Sequence, residues 1–259
     1  MSWRSWPVVG PAGLLAGRLS RRWRGVGIVN FRGKGVVNVI DVGAIGDLPS
    51  PWHENAPRIR HLLRFEPREE ASKERWRTTV KAALWETAGE RDFYVYRGSG
   101  GSGSSFFEQN SDYVREHYDE LKARGPRQLA ETWFERSELE RVKRITCTTL
   151  DEVVSSLEHP FPYHFVKIDT QGAEYNILRG FEKGQRGDCI GLHLELFTIP
   201  MYKGIKLLPD VVDYLKGFDF ELVKKYPAHG TFDSQQDCVF LKTGARGEVV
   251  DAICAVYGL

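Results

Sequence analysis

One run of sequence constrains this chain more than any other, V-V-N-V-I-D-V-G-A-I-G at residues 36–46. Apolar and mostly β-branched residues lead to an acid, Asp41, and then to a turn of small residues. This order is typical of a buried parallel strand whose carboxyl end opens into a ligand-binding loop. Asp41 can accept hydrogen bonds from a ligand, and Gly43, Ala44 and Gly46 let the ligand approach the backbone.

A second apolar run, residues 59–65, also ends in an acid, Glu66. Two successive strands with acidic carboxyl ends suit a nucleoside-like ligand, whose ribose hydroxyls the second acid can bind. For Asp41 and Glu66 alike, the alternative is a helix-capping role.

A third strand pattern, residues 165–169, runs into T-Q-G-A-E at residues 170–174 and then into a helical pattern that Gly180 closes. The block K-I-D-T-Q-G-A-E at 167–174, together with the first run, F-E-P at 65–67 and T-L-D at 149–151, closely resembles the FkbM family of S-adenosylmethionine-dependent methyltransferases.

The resemblance extends from about residue 36 to residue 242, with two departures. Ile45 stands where the family usually has asparagine, and Gln171 stands where it usually has glutamate. The first departure affects polar contacts to the cofactor, and the second removes a candidate carboxylate.

Strand and helix patterns alternate from Val36 onward, which predicts an α/β fold with a parallel sheet and helices on both faces. The resemblance implies a class I methyltransferase fold: a Rossmann-like, doubly wound, mostly parallel seven-stranded sheet. Two late strand patterns, residues 220–224 and 238–242, would close this sheet in the antiparallel sense. We interpret residues 79–84 as the third strand and residues 92–96 as a short strand after it.

The resemblance implies that S-adenosyl-L-methionine binds at the carboxyl ends of these strands. We assign Asp41 to its amino-acid portion, together with the turn, and Glu66 to its ribose. Ala83 and Leu84, which end the third strand pattern, are expected to contact adenine through backbone and apolar surface.

Methyl transfer to an alcohol also needs a group that takes the proton. We favour Asp169 as base or substrate anchor, although capping of the following helix is an alternative. His193 and Glu195 share one face of the run 191–197 and are expected beside Asp169. They could equally be a structural hydrogen-bonded pair. Mg²⁺ shared by Asp169 and Glu195 is possible but not favoured, so no metal ligand is assigned.

The expected reaction is O-methylation of a hydroxyl on a small molecule or glycan: a sugar, glycan or polyketide-like metabolite. The alternatives are a methyltransferase for another acceptor, such as an amine, and a non-catalytic module that binds the cofactor. The sequence identifies neither the acceptor nor the oligomeric state.

Residues 1–35 are interpreted as a basic, tryptophan-containing arm before the methyltransferase domain at 36–259. The arm could touch an anionic membrane surface or a partner subunit, but packing on the domain is favoured. Residues 106–142 are interpreted as a helical insertion that covers the substrate side, and residues 97–105 as a loop that could form a lid.

Composition narrows the function classes further. The net charge of +1 is made of a basic arm and a mildly acidic remainder, so nucleic-acid binding is not expected. The four cysteines are scattered without metal-ligand spacing, which favours unpaired thiols in a reducing cytosol. We expect neither a signal peptide nor a membrane span.

Overall fold

The computed structural model describes residues 35–98, 102–158 and 161–259. In this part of the chain the strands form one eight-stranded sheet and one three-stranded sheet. The strands of the large sheet are β1 Val37–Val42, β2 Ile59–Phe65, β3 Ser72–Lys73, β4 Arg77–Val80, β8 Phe165–Ile168, β9 Gly191–Phe197, β10 Phe220–Lys225 and β11 Gln235–Lys242. Those of the small sheet are β5 Ala83–Leu84, β6 Gly89–Tyr96 and β7 Leu139–Thr148.

The α-helices of the described residues are short. They are α1 Ser111–Glu116, α2 Tyr118–Leu121, α3 Arg127–Glu131, α4 Trp133–Arg136, α5 Leu150–Ser156, α6 Glu174–Arg179, α7 Glu182–Arg186, α8 Leu208–Lys216 and α9 Glu248–Tyr257. Within the described residues, 3₁₀ turns lie at Ala56–Arg58 and Thr231–Asp233. In the described part of the molecule no helix has the length and apolar character needed to cross a membrane.

The large sheet has the order β3-β4-β2-β1-β8-β9-β11-β10. Strands β4, β2, β1, β8 and β9 are mutually parallel, whereas β11, β10 and β3 pair antiparallel with their neighbours. The prediction of a mostly parallel, Rossmann-like sheet is therefore confirmed, with the two-residue edge strand β3 added to the seven strands expected. The strand order reverses between β1 and β8, and ligands bind near such a reversal, at the carboxyl ends of the strands.

The central strand β1 is buried on both faces of the sheet. Ile40 and Val42 belong to the larger core, on one face. Val37 and Val39 belong to a second core, on the other face, with residues of α9. A continuous apolar run rather than an alternating one is expected for a strand of this kind.

Two strand predictions need correction. Residues 79–84 do not form one strand, because the N–H of Ala82 donates to the carbonyl of Val80, 3.0 Å away, and turns the chain. Strand β4 ends at Val80 in the large sheet, and β5 pairs with β7 in the small one. The short strand expected at residues 92–96 begins earlier, at Gly89, and pairs along β7.

The predicted insertion at 106–142 contains the four helices α1–α4 and the start of β7. Its apolar residues share a third core with residues that follow β9, including Met201, Tyr202 and Ile205. The predicted arm at residues 1–35 lies outside the described residues except for Gly35, and so do residues 99–101 of the predicted lid loop.

Candidate active site

Asp41 is the acid at the centre of the strand-order reversal. It lies opposite Arg64 of β2 and Lys167 of β8 in the strand register. Its side chain is 1% exposed, and neither carboxylate oxygen has a hydrogen-bond partner in the structure. The nearest cation is the Lys167 Nζ, 3.7 Å from Asp41 Oδ1. Burial raises the pKa of Asp41, while the charges of Lys167 and Arg64 oppose this shift. The hydrogen-bonding capacity of the Asp41 carboxylate is therefore unused in this structure.

The turn after β1 has no backbone N–H left for a ligand between residues 43 and 46. Gly43 and Ala44 both donate to the carbonyl of Phe65, at 3.0 and 3.2 Å, and Ile45 donates to Gly43. Gly46 donates to Glu69 Oε1, 3.1 Å away. The described chain between residues 43 and 55 contains no α-helix, so the turn does not lead into a helix N-terminus. A phosphate group, which needs such donors, has no cradle here.

Glu66 lies directly after β2 and is 4% exposed. Its Oε1 accepts hydrogen bonds from the backbone N–H and the Nε of Arg68, at 2.8 and 3.0 Å. The carboxylate is thus oriented by a local turn. This arrangement is compatible with the predicted ribose contact, which stays a prediction.

Ala83 and Leu84, predicted to contact adenine, lie in β5 of the small sheet and are 6% and 3% exposed. Both side chains belong to the larger core, together with Trp85. Their position differs from the expected carboxyl end of a third parallel strand. The predicted adenine contact assumed one continuous strand over residues 79–84, which the structure divides between β4 and β5.

Asp169 and Glu195 are brought together at the ends of β8 and β9, as predicted. The charge of Asp169 acts on Glu195, and Lys167 Nζ lies 3.3 Å from Asp169 Oδ2. Burial, with the charges of Asp169, Glu174 and Asp237, raises the pKa of Glu195 far above its ordinary range. Glu195 therefore favours its protonated form.

The position of that proton follows from the donors around Glu195. Oε2 of Glu195 accepts hydrogen bonds from Gln171 Nε2, at 3.0 Å, and from Gln235 Nε2. Because Oε2 already receives two hydrogens, the proton of Glu195 belongs on Oε1.

Gln171 has a backbone conformation that most residues avoid, with φ of +59°. Its carbonyl accepts from Ser105 Oγ at 2.7 Å. The Tyr202 hydroxyl lies 3.4 Å from Gln171 Oε1, but its shorter hydrogen bond is to the carbonyl of Gly103, at 2.9 Å. The side-chain amide then donates to Glu195. A glutamate at this position could not donate to Glu195 when ionised, so the amide is matched to its surroundings.

His193 lies on the same strand but does not join this pair. Its Nε2 is 3.0 Å from Asp237 Oδ1 and its Nδ1 is 3.1 Å from the Tyr257 hydroxyl. Trp52 Nε1 donates to the same hydroxyl at 2.9 Å, so the hydroxyl hydrogen points to Nδ1 and His193 donates from Nε2. The geometry favours the structural alternative, with Asp237 rather than Glu195 as the partner.

Three polar residues near the pair were missed as site residues. Asp237 lies opposite Glu195 in the β9–β11 register, and Gln235 is on the same side of β11. His229 Nε2 lies 3.1 Å from Asp237 Oδ2 and 3.9 Å from Glu195 Oε1. The alternation of Gln235 and Asp237 was a usable signal, whereas His229 lies on a loop and gave none.

Two further observations concern acidic groups near the site. Glu174 accepts hydrogen bonds from the N–H and the Oγ1 of Thr170, at 2.8 and 3.0 Å. Among the described residues no group of three or more histidine, cysteine, aspartate or glutamate side chains is arranged to hold a metal ion.

Comparison with known proteins adds three findings. The family model of the methyltransferase FkbM domain matches residues 41–222. The chain is similar to a crystal structure of methyltransferase FkbM from Methylobacillus flagellatus KT, with 12% identity and a TM-score of 0.39. That match covers 79% of this chain, which spans 43% of the length of the solved one. No significant match was found among curated proteins.

Proposed function

The chain belongs to the FkbM family of methyltransferases, and we propose that it transfers a methyl group from S-adenosylmethionine to a hydroxyl group of a sugar, glycan or related metabolite. The observation that carries the proposal is the buried carboxylate of Asp41, neither oxygen of which accepts a hydrogen bond, beside a turn whose N–H groups are all used.

The residues present suit this cofactor chemically. S-adenosylmethionine carries an ammonium group, a sulfonium and ribose hydroxyls but no phosphate. Asp41 would hold the ammonium, Glu66 the ribose, and the small residues of the turn would allow close approach. A dinucleotide fits less well, because its pyrophosphate needs the free N–H donors that residues 43–46 do not offer.

Bound S-adenosylmethionine supplies a methyl group on a positively charged sulfur that is a good leaving group. The protein has to align the acceptor oxygen with that methyl group and to take the hydroxyl proton. We assign this proton to Asp169, because it follows β8 beside Glu195 of β9 and Lys167 Nζ lies 3.3 Å from its carboxylate. Asp169 would take the hydroxyl proton as the acceptor oxygen receives the methyl group that the cofactor would supply.

The cofactor part is tested by thermal unfolding with S-adenosylhomocysteine, the product form of the cofactor. We expect a rise in Tm, since a ligand that binds only the folded state stabilises it. Glu66→Gln keeps an oxygen that can accept from Arg68 and should reduce the shift, whereas Glu70→Gln, on a side chain 88% exposed, should not. A shift with NAD and none with S-adenosylhomocysteine would contradict the assignment.

The acceptor part is tested by release of S-adenosylhomocysteine over a panel of saccharides and glycosides. Amino sugars, with and without their hydroxyls protected, form a separate arm for an amine acceptor. Cofactor binding without release in any arm would favour a binding module.

A further inference from the structure

Arg64 is a buried cation that holds the turn after β1 from beneath. It lies on β2 and is 4% exposed. Its Nη2 donates to the carbonyl oxygens of both Ala44 and Gly46, the second at 2.5 Å. Its Nη1 donates to Glu69 Oε2 at 3.2 Å. The other oxygen of Glu69 accepts from the N–H of Gly46 at 3.1 Å, which closes a ring of hydrogen bonds.

This ring, formed by Arg64, Glu69 and the backbone of Ala44 and Gly46, fixes both polar groups of the Gly46 backbone. Few other restraints act at this end of the turn. The side chain of Ile45 is apolar and 61% exposed, so it forms no hydrogen bond here. Gly46 has φ of +71° and open space around its Cα, and the described residues that follow do not begin an α-helix. Backbone hydrogen bonds hold residues 43–45, whereas the conformation at Gly46 depends on Arg64 and Glu69.

Arg64 also acts on Asp41, its neighbour in the β1–β2 register. Burial favours the neutral form of this carboxyl group and raises its pKa, and the charges of Lys167 and Arg64 counteract that effect. A cationic partner at position 64 thus helps to keep Asp41 ionised.

We propose that Arg64 and Glu69 are positioning residues that set the shape of the cofactor turn, and with it the affinity for the cofactor, without touching the cofactor themselves. This inference rests on the proposed function, because it takes the turn at residues 43–46 as the cofactor site. Neither residue belongs to the strand-end acids from which the site was predicted.

Isothermal titration calorimetry with S-adenosylhomocysteine tests the proposal on Glu69→Ala, Glu69→Gln and Arg64→Lys. Controls are Glu70→Ala, next in sequence and exposed, and Arg60→Lys, exposed on the same strand as Arg64. Glu69→Ala leaves Gly46 N–H and Arg64 without a partner, so Kd should rise about tenfold or more. Glu69→Gln keeps one acceptor oxygen, so its Kd should lie between those of wild type and Glu69→Ala. Arg64→Lys keeps the charge but replaces the guanidinium with a single nitrogen for three acceptors, so its Kd should also rise.

Two further measurements separate positioning from a general effect on folding. The titrations are run well below the Tm of each apo variant, so lower stability alone leaves Kd unchanged. Hydrogen exchange at the Gly46 amide should accelerate in Glu69→Ala and stay unchanged in Glu70→Ala. If wild type binds S-adenosylhomocysteine and both Glu69→Ala and Arg64→Lys bind it with the same Kd, the inference is overturned but the proposed function is not. If wild type does not bind it, both the cofactor role of the turn and the inference are overturned.

Discussion

The backbone of Gly43 passes so close to Asp169 that a Cβ at residue 43 would lie 2.0 Å from the Asp169 carbonyl oxygen. The N–H of Asp169 also donates to the carbonyl of Val42, 3.1 Å away. The ends of β1 and β8 are therefore in direct backbone contact, so the candidate cofactor turn and the candidate base form one unit. Neither side can move without the other.

Gly43→Ala should consequently disrupt the site. Gly43 has φ of +79°, and the added Cβ would collide with backbone that cannot rotate away. We expect a loss of several kcal/mol, about 3 or more, in the free energy of unfolding. Urea denaturation measures the loss, and S-adenosylhomocysteine binding should be abolished.

Gly46→Ala is the matched control in the same turn. Gly46 also has a positive φ, +71°, but its added Cβ would meet nothing within 4 Å. Only the backbone strain remains, about 1–2 kcal/mol. Equal effects of the two substitutions would show that the contact between residues 43 and 169 is not as close as described.

The parts of the fold that could be predicted are those with a strong local pattern. The runs at β1, β2, β8 and β9 are mostly apolar and bounded by acids or glycines. These patterns were enough to predict the strands and the sheet edge that their carboxyl ends share. The placement of Ala83 failed because a two-residue strand has almost no pattern and its sheet depends on a turn at Val80–Ala82.

In the candidate site, too, only the residues that lie in a strong local pattern could be predicted. Asp41 and Asp169 end strands and were found, but Arg64 lies inside β2, where the sequence gives no sign that its guanidinium reaches the next loop. His193 was placed on the correct face with Glu195, yet its partners come from β11 and α9, far away in sequence. Periodicity identifies the face of a strand but not what covers that face.

His193 is expected to contribute to stability more than to turnover. His193→Ala leaves the hydroxyl hydrogen of Tyr257 without its acceptor and one oxygen of Asp237 without its donor, which should cost about 1–3 kcal/mol. Tyr257→Phe removes the other half of the first contact. A double-mutant cycle over these two positions should give a coupling of about 1 kcal/mol. Unchanged stability with turnover reduced more than tenfold would restore the catalytic role.

Glu174 predicts how stability depends on pH. Burial raises its pKa to about 7, from 4.5 for an exposed glutamate. The folded protein thus binds this proton more tightly than the unfolded chain does. Its contribution to stability should decline as the pH rises from about 4.5 to about 7, by an amount on the order of 3 kcal/mol.

Urea unfolding of wild type and Glu174→Gln at pH 5 and pH 8 measures this effect. The variant keeps an acceptor oxygen for Thr170 and carries no charge, so it should gain stability relative to wild type at the higher pH. Glu70→Gln, on an exposed side chain, should show no such gain. A difference between wild type and Glu174→Gln that is the same at both pH values would contradict the buried, protonated state of Glu174.

The catalytic hypothesis makes different predictions for the two members of the carboxyl pair. Asp169→Asn removes the proposed base and should reduce kcat about 10²-fold or more, with any acceptor that the saccharide panel identifies. Glu195→Gln resembles the protonated acid, because an amide is neutral and its oxygen can still accept from Gln171 and Gln235. The kcat of Glu195→Gln should stay within about tenfold of wild type, because the proposed base is intact in this variant.

Kd for S-adenosylhomocysteine should change little in both variants, since Asp41 and Glu66 are intact. A magnesium site on the pair predicts the opposite pattern, with both variants inactive and wild type inhibited by a chelator. Near-normal kcat in Asp169→Asn would remove this residue as the base and direct attention to His229, whose Nε2 lies 3.9 Å from Glu195 Oε1.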